Sequence, residues 1–225
     1  MAHNSQSTNA DQSVNPLLQA LRLENQLARQ KEITEILKKF DEDKQVSLLF
    51  AALLKSPESE SRKGIIEELS KIGSDKAVEL LGSIMTDDFD PEVQREAIEA
   101  LRQIGSDRVI DVLLSALRSN NEWLRQEAAN ALGDFKADRV VDGLVEASKY
   151  YYTAYAVVRS LIKIGSERAI EGLVKIIQDP MHLAGTTSYD ALAGLVRLGT
   201  EKAINGIFTV WNATDSIHRS RLFGI

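Results

Sequence analysis

The sequence contains no cysteine, only 4 prolines, and an aromatic fraction of 6%. Without cysteine, the chain forms no disulfide, no thiolate zinc site and no cysteine nucleophile, and we expect a reducing, cytoplasmic location. No apolar run approaches the roughly 20 residues that a membrane-spanning helix requires. The polar residues at the start lack the apolar segment of a secretory signal. We therefore expect neither a disulfide-stabilised fold nor insertion into a membrane.

Positive charge is also scarce, with 27 Lys and Arg against 33 Asp and Glu and a net charge of −6. Binding to phosphate backbones requires a local surplus of Lys and Arg, so we predict no nucleic-acid partner. The three histidines, His3, His182 and His218, lack the spacing of metal ligands. The sequence has no HExxH motif, no glycine-rich phosphate loop and no GxSxG motif. We therefore predict no metal site and assign no catalytic residue.

Two short segments with helical periodicity are joined at Gly105 within residues 93–117. Glycine is typical of a helix end in the left-handed conformation, and Ser106 is a favourable cap for the next helix. Asp107 adds a negative charge to the first turn of that helix, near the positive end of its dipole. The pattern predicts a helix–turn–helix hairpin, which cannot bury both apolar faces alone and therefore needs further copies.

The hairpin pattern recurs six times along the chain, and we name each repeat by its reference leucine. The six reference leucines are Leu37, Leu69, Leu101, Leu132, Leu161 and Leu195. An acid–base dipeptide follows each of them, as in Asp107-Arg108. We expect its acid to favour the helix N-terminus and its base to bridge to the next repeat. Agreement among six copies predicts an all-α fold, an α-solenoid of about six helix–turn–helix repeats.

The domain organisation follows from the repeat. We expect residues 1–14 to form a disordered tail and residues 15–225 to form a single solenoid that begins with an N-terminal cap helix at Asn15-Pro16. In the sixth repeat, residues 180–185 form an insertion, after which a helix is predicted to start at Thr187. The segment beyond Trp211 is expected to cover the last repeat.

An acidic column lies ten residues past the reference leucine. Its neighbours are apolar, so the column faces outward, and the second helices of stacked hairpins usually line a concave side. The pattern is compatible with a solvated surface, and equally with an acidic groove for a basic or amphipathic protein segment. The column consists of Glu79, Asp111, Asp142 and Glu171, with Asn205 in the sixth repeat.

Tyrosine is concentrated in the fifth repeat, where four of the 5 tyrosines fall within residues 150–155. Consecutive residues on a helix lie about 100° apart, so these rings cannot all enter one helix–helix contact. They form either a patch for a planar ligand or a partner's helix, or ordinary packing between repeats. The candidate binding residues are Trp123, Tyr151, Tyr152, Tyr155, His182, Tyr189 and Asp190.

Two consecutive repeats carry a recognisable pattern. The segments PEVQREAIEALRQIGSDRVIDVLLSAL and NEWLRQEAANALGDFKADRVVDGLVEA resemble the short HEAT-like repeat first associated with phycobilin lyases. The resemblance extends over about residues 30–210 and implies an α-solenoid. In size and acidic balance the chain is similar to two groups of that superfamily. These are the phycobilisome degradation proteins of the NblB type and the subunits of heterodimeric phycobilin lyases.

The resemblance implies a scaffold that binds phycobiliproteins, their bilin chromophore, or both, in phycobilisome degradation. It implies no resident cofactor, but phycocyanobilin as a ligand. A bilin suits a carboxylate near its ring nitrogens, and we nominate Asp190 or Asp134 for that role. One alternative is a lyase subunit, working in a heterodimer, that attaches or removes a bilin. A second alternative is a general protein–protein adaptor that uses the acidic groove. A scaffold without catalysis is favoured over lyase-like chemistry.

Overall fold

The computed structural model describes residues 14–182 and 185–223. Within these ranges all regular structure is helical, which confirms the predicted all-α fold class. The helices are α1 (residues 14–21), α2 (Gln26–Leu37), α3 (Glu42–Leu53), α4 (Ser59–Ile72), α5 (Asp75–Asp87), α6 (Pro91–Ile104), α7 (Asp107–Ala116), α8 (Glu122–Leu132), α9 (Asp138–Ala147), α10 (Tyr151–Ile164), α11 (Glu167–Gln178), α12 (Thr186–Leu198), α13 (Glu201–Ala213) and α14 (Ser216–Phe223).

The N-terminal boundary differs slightly from the prediction. Residues 1–13 of the predicted tail lie outside the described residues. Val14 is already helical and is 1% exposed, so Asn15 and Pro16 lie in the first described turn of α1 and the helix does not start at them. The apolar side chain of Val14 accounts for the difference, because burying it in the fold is lower in free energy than leaving it exposed to water in a tail.

The chain divides into two compact units, with the boundary between Val109 and Ile110 inside α7. In each repeat we call the helix with the reference leucine the A helix and the following one the B helix. In the first unit, A helix α4 packs on α6 and B helix α3 packs on α5. In the second unit, the A helices α8, α10 and α12 pack in sequence, and so do the B helices α9, α11 and α13.

The turns between A and B helices form as the sequence predicts in four repeats. The glycine that ends each of these A helices has a φ between 60° and 65°, and its N–H donates to the carbonyl of the reference leucine. Ser74, Ser166 and Thr200 then cap the following B helices through their hydroxyl oxygens. The predicted cap at Ser106 does not form, because its buried hydroxyl oxygen has no hydrogen-bond partner among the described residues. Glycine adopts the left-handed conformation without steric penalty because it has no Cβ atom. The four turn glycines are Gly73, Gly105, Gly165 and Gly199.

Adjacent B helices of the second unit fit together through a large side chain and a glycine. The large residue lies 13 positions past the reference leucine of one repeat, and the glycine lies 11 positions past that of the next. A Cβ added at the glycine would lie 2.3–2.8 Å from the large side chain, so no other residue fits without displacement. The pairs are Leu114 with Gly143, Val145 with Gly172, and Val174 with Gly206.

The A helices of the second unit use the same device with variations. Ile162 in α10 packs on Gly194 in α12, where an added Cβ would lie 2.3 Å from its Cδ1 atom. One repeat earlier the two residues in contact differ in size. Gly133 in the fourth repeat takes the repeat position that Ile162 has in the fifth, and it contacts Ser160 of α10. The Ser160 hydroxyl also donates to the carbonyl of Ala129 at 2.7 Å. Each interface between repeats therefore has its own pattern of large and small residues.

Candidate functional site

Ion pairs connect each B helix to the one before it. The base of the acid–base dipeptide contacts an acid of the preceding repeat, which corrects the expectation that it bridges to the next repeat. In the first unit, the pairs are Lys76 with Asp43 and Arg108 with Glu79, both at 2.7 Å. In the second unit, the pairs are Arg139 with Asp111 at 2.6 Å, Arg168 with Asp142 at 2.7 Å, and Lys202 with Glu171 at 2.8 Å.

These ion pairs change the meaning of the predicted acidic groove. All four of its acids lie outward on B helices, as expected, but each has a basic partner at hydrogen-bond distance. The hydrogen bond from Lys202 lowers the pKa of the Glu171 carboxyl, which keeps this pair charged. A depression of about 300 Å³ beside α9 and α11 is lined by both members of the Asp142–Arg168 pair. The column is therefore one half of a charge-balanced ladder.

The fifth A helix exposes three tyrosines. Thr153, Ala154 and Val157 are fully buried against neighbouring helices and fix the orientation of α10. The side of α10 that remains carries Tyr151, Tyr152 and Tyr155, which are 66%, 65% and 54% exposed. Tyr150, just before the helix, is half-buried instead, with the Arg125 guanidinium 4.5 Å from its ring centroid.

The exposed rings are organised relative to one another and to an arginine. The Tyr151 and Tyr152 ring centroids are 5.2 Å apart with an interplanar angle of 83°, an edge-to-face arrangement. The Arg159 guanidinium carbon lies 5.8 Å from the Tyr155 ring centroid, one helical turn further along α10. We call the surface made by Tyr151, Tyr152, Tyr155 and Arg159 the tyrosine face.

The other predicted binding residues lie in different environments. Tyr189 is 40% exposed on α12, which packs beside α10, and Trp123 is half-buried near the start of α8. His182 is only 3% exposed, and its Nε2 atom has no hydrogen-bond partner. Its carbonyl accepts a hydrogen bond from Ser188 at 2.6 Å. The structure thus packs His182 inside, away from any surface that a partner would meet.

The two carboxylates nominated for a bilin also differ. Asp134 is paired with Lys163, which has an exposed ammonium group, so its charge is already compensated. Asp190 is half-buried on α12, the residue after Tyr189. Of the insertion before α12, residues 183–184 lie outside the described residues. Within the described ranges no cluster of His, Asp or Glu is arranged to hold a metal ion, and no helix is long and apolar enough to cross a bilayer.

The first unit contains a cavity that the sequence analysis missed. Its volume is about 540 Å³, and the large apolar side chains at its rim are Phe50, Leu54 and Phe89, exposed to 47%, 72% and 79%. The signal in the sequence was Phe89, a large apolar residue in a turn. At the cavity wall, the Arg62 guanidinium lies 4.2 Å from the Phe89 ring centroid and its Nε binds Asp88 at 2.7 Å.

Comparison with known families decides the identity of the fold. The family model for HEAT repeats matches residues 14–102 and 78–150, together more than half of the chain. The chain belongs to the HEAT-repeat family. A second family model, the PBS lyase HEAT-like repeat, matches residues 153–179 of this HEAT-repeat protein, a range that includes Tyr155 and Arg159. No curated protein matches the sequence.

Three solved structures are similar to the chain, each at low sequence identity. An engineered protein is 23% identical, with 79% of this chain and 93% of that chain covered and a TM-score of 0.40. Human deoxyhypusine hydroxylase in complex with glycerol is 16% identical, with coverages of 97% and 96% and a TM-score of 0.40. The complex of CpcE and CpcF of phycocyanin lyase from Nostoc sp. PCC7120 is 16% identical, with coverages of 75% and 94% and a TM-score of 0.43. At these scores none of the three bears on the function of this HEAT-repeat protein.

Proposed function

We propose that this HEAT-repeat protein is a non-catalytic scaffold that binds a phycobiliprotein through the tyrosine face, as in NblB-type phycobilisome degradation. The observation that carries the proposal is the exposure of three tyrosines, at 54–66%, on one side of α10. The PBS lyase HEAT-like model matches residues 153–179 of the same repeat, a range that includes Tyr155 and begins just after Tyr151 and Tyr152. The remainder of the proposal, the identity of the client, rests on that repeat and on the family resemblance.

The chemistry of the tyrosine face suits a protein partner. Tyrosine and arginine are enriched among the residues that dominate binding energy, because they combine a large apolar area with a polar end. Each aromatic side chain buries roughly 150–250 Å² when covered, against about 800 Å² per partner in a standard interface. Three exposed tyrosines and Arg159 would therefore supply a large share of one side of such an interface.

The helix that carries the tyrosine face is anchored on its other side. Ala154, Val157, Val158 and Leu161 on the opposite side of α10 are fully buried. A helix anchored in this way loses little backbone entropy when a partner binds, so more of the contact energy appears as affinity. This arrangement favours a binding surface over a site that must close around a small substrate.

Titration of the purified protein with intact phycocyanin, followed by calorimetry, tests the proposal. We expect a complex whose dissociation constant rises about 100-fold or more in the Tyr151→Ala/Tyr155→Ala variant, since two central aromatic residues are removed. Leu27→Ala is the control, because Leu27 is a large apolar residue of the first unit that is 77% exposed, and this variant should bind as the wild type does. Wild-type protein that fails to bind phycocyanin, or a double variant that binds equally well, contradicts the proposal.

The second candidate function is handling of a bilin, as a lyase subunit would require. The pair of Tyr151 and Tyr152 favours it, since their rings are nearly perpendicular and one would stack on a planar conjugated ligand while the other contacts its edge. Addition of phycocyanobilin would then give a red-shifted, intensified visible band, which weakens in Tyr151→Ala/Tyr155→Ala. Binding of phycocyanin with no such band in the presence of free bilin supports the scaffold instead.

The third alternative, an adaptor that uses the acidic groove, is distinguishable by charge reversal. The acids of the groove already have basic partners within the chain, so a basic segment would have to displace them. Under the scaffold proposal, reversal at Asp111, Asp142 and Glu171 leaves phycocyanin binding within about twofold of wild type, since exposed charge pairs contribute little. A large loss of binding would move the site from the tyrosine face to the ladder.

A further inference from the structure

The sixth repeat exposes a group of apolar side chains on its B helix and at the end of its A helix. Val196 in α12 is 63% exposed, and Ile204 and Phe208 in α13 are 46% and 61% exposed. We call these three residues the terminal face. Single exposed apolar residues are ordinary on protein surfaces, but a group at matching repeat positions requires an explanation.

The repeat register explains what kind of surface this is. Each residue of the terminal face lies 34 positions after a residue of the fifth repeat that packs on the sixth. Ile162 and Val174 lie 2.3 Å and 2.8 Å from the Cβ positions of Gly194 and Gly206, and Ile170 lies 3.9 Å from that of Gly206. The terminal face therefore has the side chains that pack one repeat on another.

The last helix leaves this surface open. α14 is held by Arg219, whose guanidinium lies 5.3 Å from the Trp211 ring centroid, and by Leu222, which is 4% exposed. The exposed fractions of Val196, Ile204 and Phe208 are those with α14 in place. α14 therefore covers a different part of α13, around Trp211. The expectation that the segment beyond Trp211 covers the last repeat is correct for that part and not for the terminal face.

One polar residue indicates what packs on the terminal face. At the position ten past the reference leucine, the second to fifth repeats carry an acid that pairs with a base of the next repeat, whereas the sixth carries Asn205. By register, Asn205 occupies the position from which those acids reach the following repeat. A carboxylate there would repel its own symmetry mate across a two-fold axis, while an amide both donates and accepts and can pair with itself.

We propose that the terminal face binds the terminal face of a second copy of this chain, which gives a two-fold symmetric dimer. Such an interface is self-complementary, and two-fold dimers are by far the commonest oligomers of soluble proteins. The large residues of both copies would interdigitate around Phe208, with the Asn205 amides near the axis. The inference uses none of the residues of the tyrosine face, so it stands or falls independently of the proposed function.

Sedimentation equilibrium of the full chain tests the dimer. The chain mass is 24.9 kDa, so the dimer has twice that mass. We expect a dissociation constant in the micromolar range. The dimer should then be the predominant species at chain concentrations of roughly 100 µM and already at concentrations well below that. Phe208→Glu should raise the dissociation constant by about 100-fold or more, because the two-fold axis places the change on both sides. Since Phe208 is exposed, its replacement leaves the helical circular dichroism unchanged.

Asn205→Asp provides a second, chemically specific test. The dimer of this variant should weaken by about tenfold near neutral pH and recover as the pH falls through the carboxyl's ordinary range, because protonation restores a donor. The control is Leu27→Glu, an equivalent charge change at a residue of α2 that is 77% exposed, which should leave the dimer intact. A monomeric mass at every concentration, or a dimer that persists in Phe208→Glu, overturns the proposal.

Discussion

Removal of the Arg62 side chain should destabilise the first unit more than any other single charge change. Arg62 is 3% exposed, and its guanidinium makes two hydrogen bonds to Asp88, at 2.7 and 3.2 Å. A third hydrogen bond, at 2.7 Å, goes to the carbonyl of Pro57. These contacts tie the turn between α3 and α4 to the turn between α5 and α6. Both ends of the first unit's second repeat depend on them.

The magnitude follows from the burial of both partners. The side chains of Arg62 and Asp88 are 4% and 6% exposed, so Arg62→Ala leaves a desolvated carboxylate without its cation. Loss of one partner of a buried ion pair costs about 3–5 kcal/mol in the free energy of unfolding. For a unit of about 100 residues, 1 kcal/mol shifts the midpoint by roughly 4–8 °C, so we expect a decrease of at least about 12 °C.

Two spectroscopic signals allow the effect to be located. Trp123 and Trp211, the only 2 tryptophans, both lie in the second unit, so their fluorescence reports its unfolding, whereas far-UV circular dichroism reports both units. In Arg62→Ala, the circular dichroism transition should move further than the fluorescence transition. A double variant, Arg62→Met/Asp88→Asn, removes both charges and should recover most of the loss. If the double variant is as unstable as Arg62→Ala, the unpaired carboxylate is not the cause.

Three further outcomes are expected from equilibrium unfolding. Gly194→Ala should cost about 1–3 kcal/mol through its contact with Ile162, and Ile162→Val in the same chain should restore part of it; equal stability in both would contradict the close packing. Burial raises the pKa of the Glu68 carboxyl above its ordinary value of 4.5. The free energy of unfolding should therefore decrease as the pH rises above 4.5, and Glu68→Gln should flatten that part of the pH profile. Asp142→Arg should lower the midpoint more at low than at high salt, because it opposes Arg168 at an exposed site; a salt-independent effect would refute this.

The periodicity predicted the fold class because the same pattern of buried and exposed positions recurs in every repeat. Every reference leucine from Leu69 to Leu195 is fully buried, as a column that recurs six times must be. The glycine turns formed for a local reason, since a left-handed residue suits glycine wherever the hairpin occurs. The direction of the ion pairs was not predictable in the same way. It depends on the rise from one repeat to the next, a quantity that no single hairpin encodes.

The candidate site was predicted only in part, because exposure depends on which face a neighbour covers. The number of tyrosines required that some be exposed, and the structure assigns Tyr151, Tyr152 and Tyr155 to that role. His182 was a candidate of the same kind in the sequence, but its side chain is buried in the structure. The cavity beside Phe89 was missed because it combines residues from separate turns, and sequence spacing carries no information about that proximity.

The glycine contacts between A helices give the repeats a fixed order. If the fifth repeat were deleted, the fourth repeat would pack on the sixth. Between the B helices, Val145 would then pack on Gly206 in place of Gly172, which preserves the contact of a large residue with a glycine. On the A side, however, Gly133 would face Gly194, with no side chain to fill the space that Ile162 occupies. A gene that lost or duplicated one repeat would thus encode a cavity at the junction. Once such contacts had diverged, the array could change its length only together with compensating substitutions.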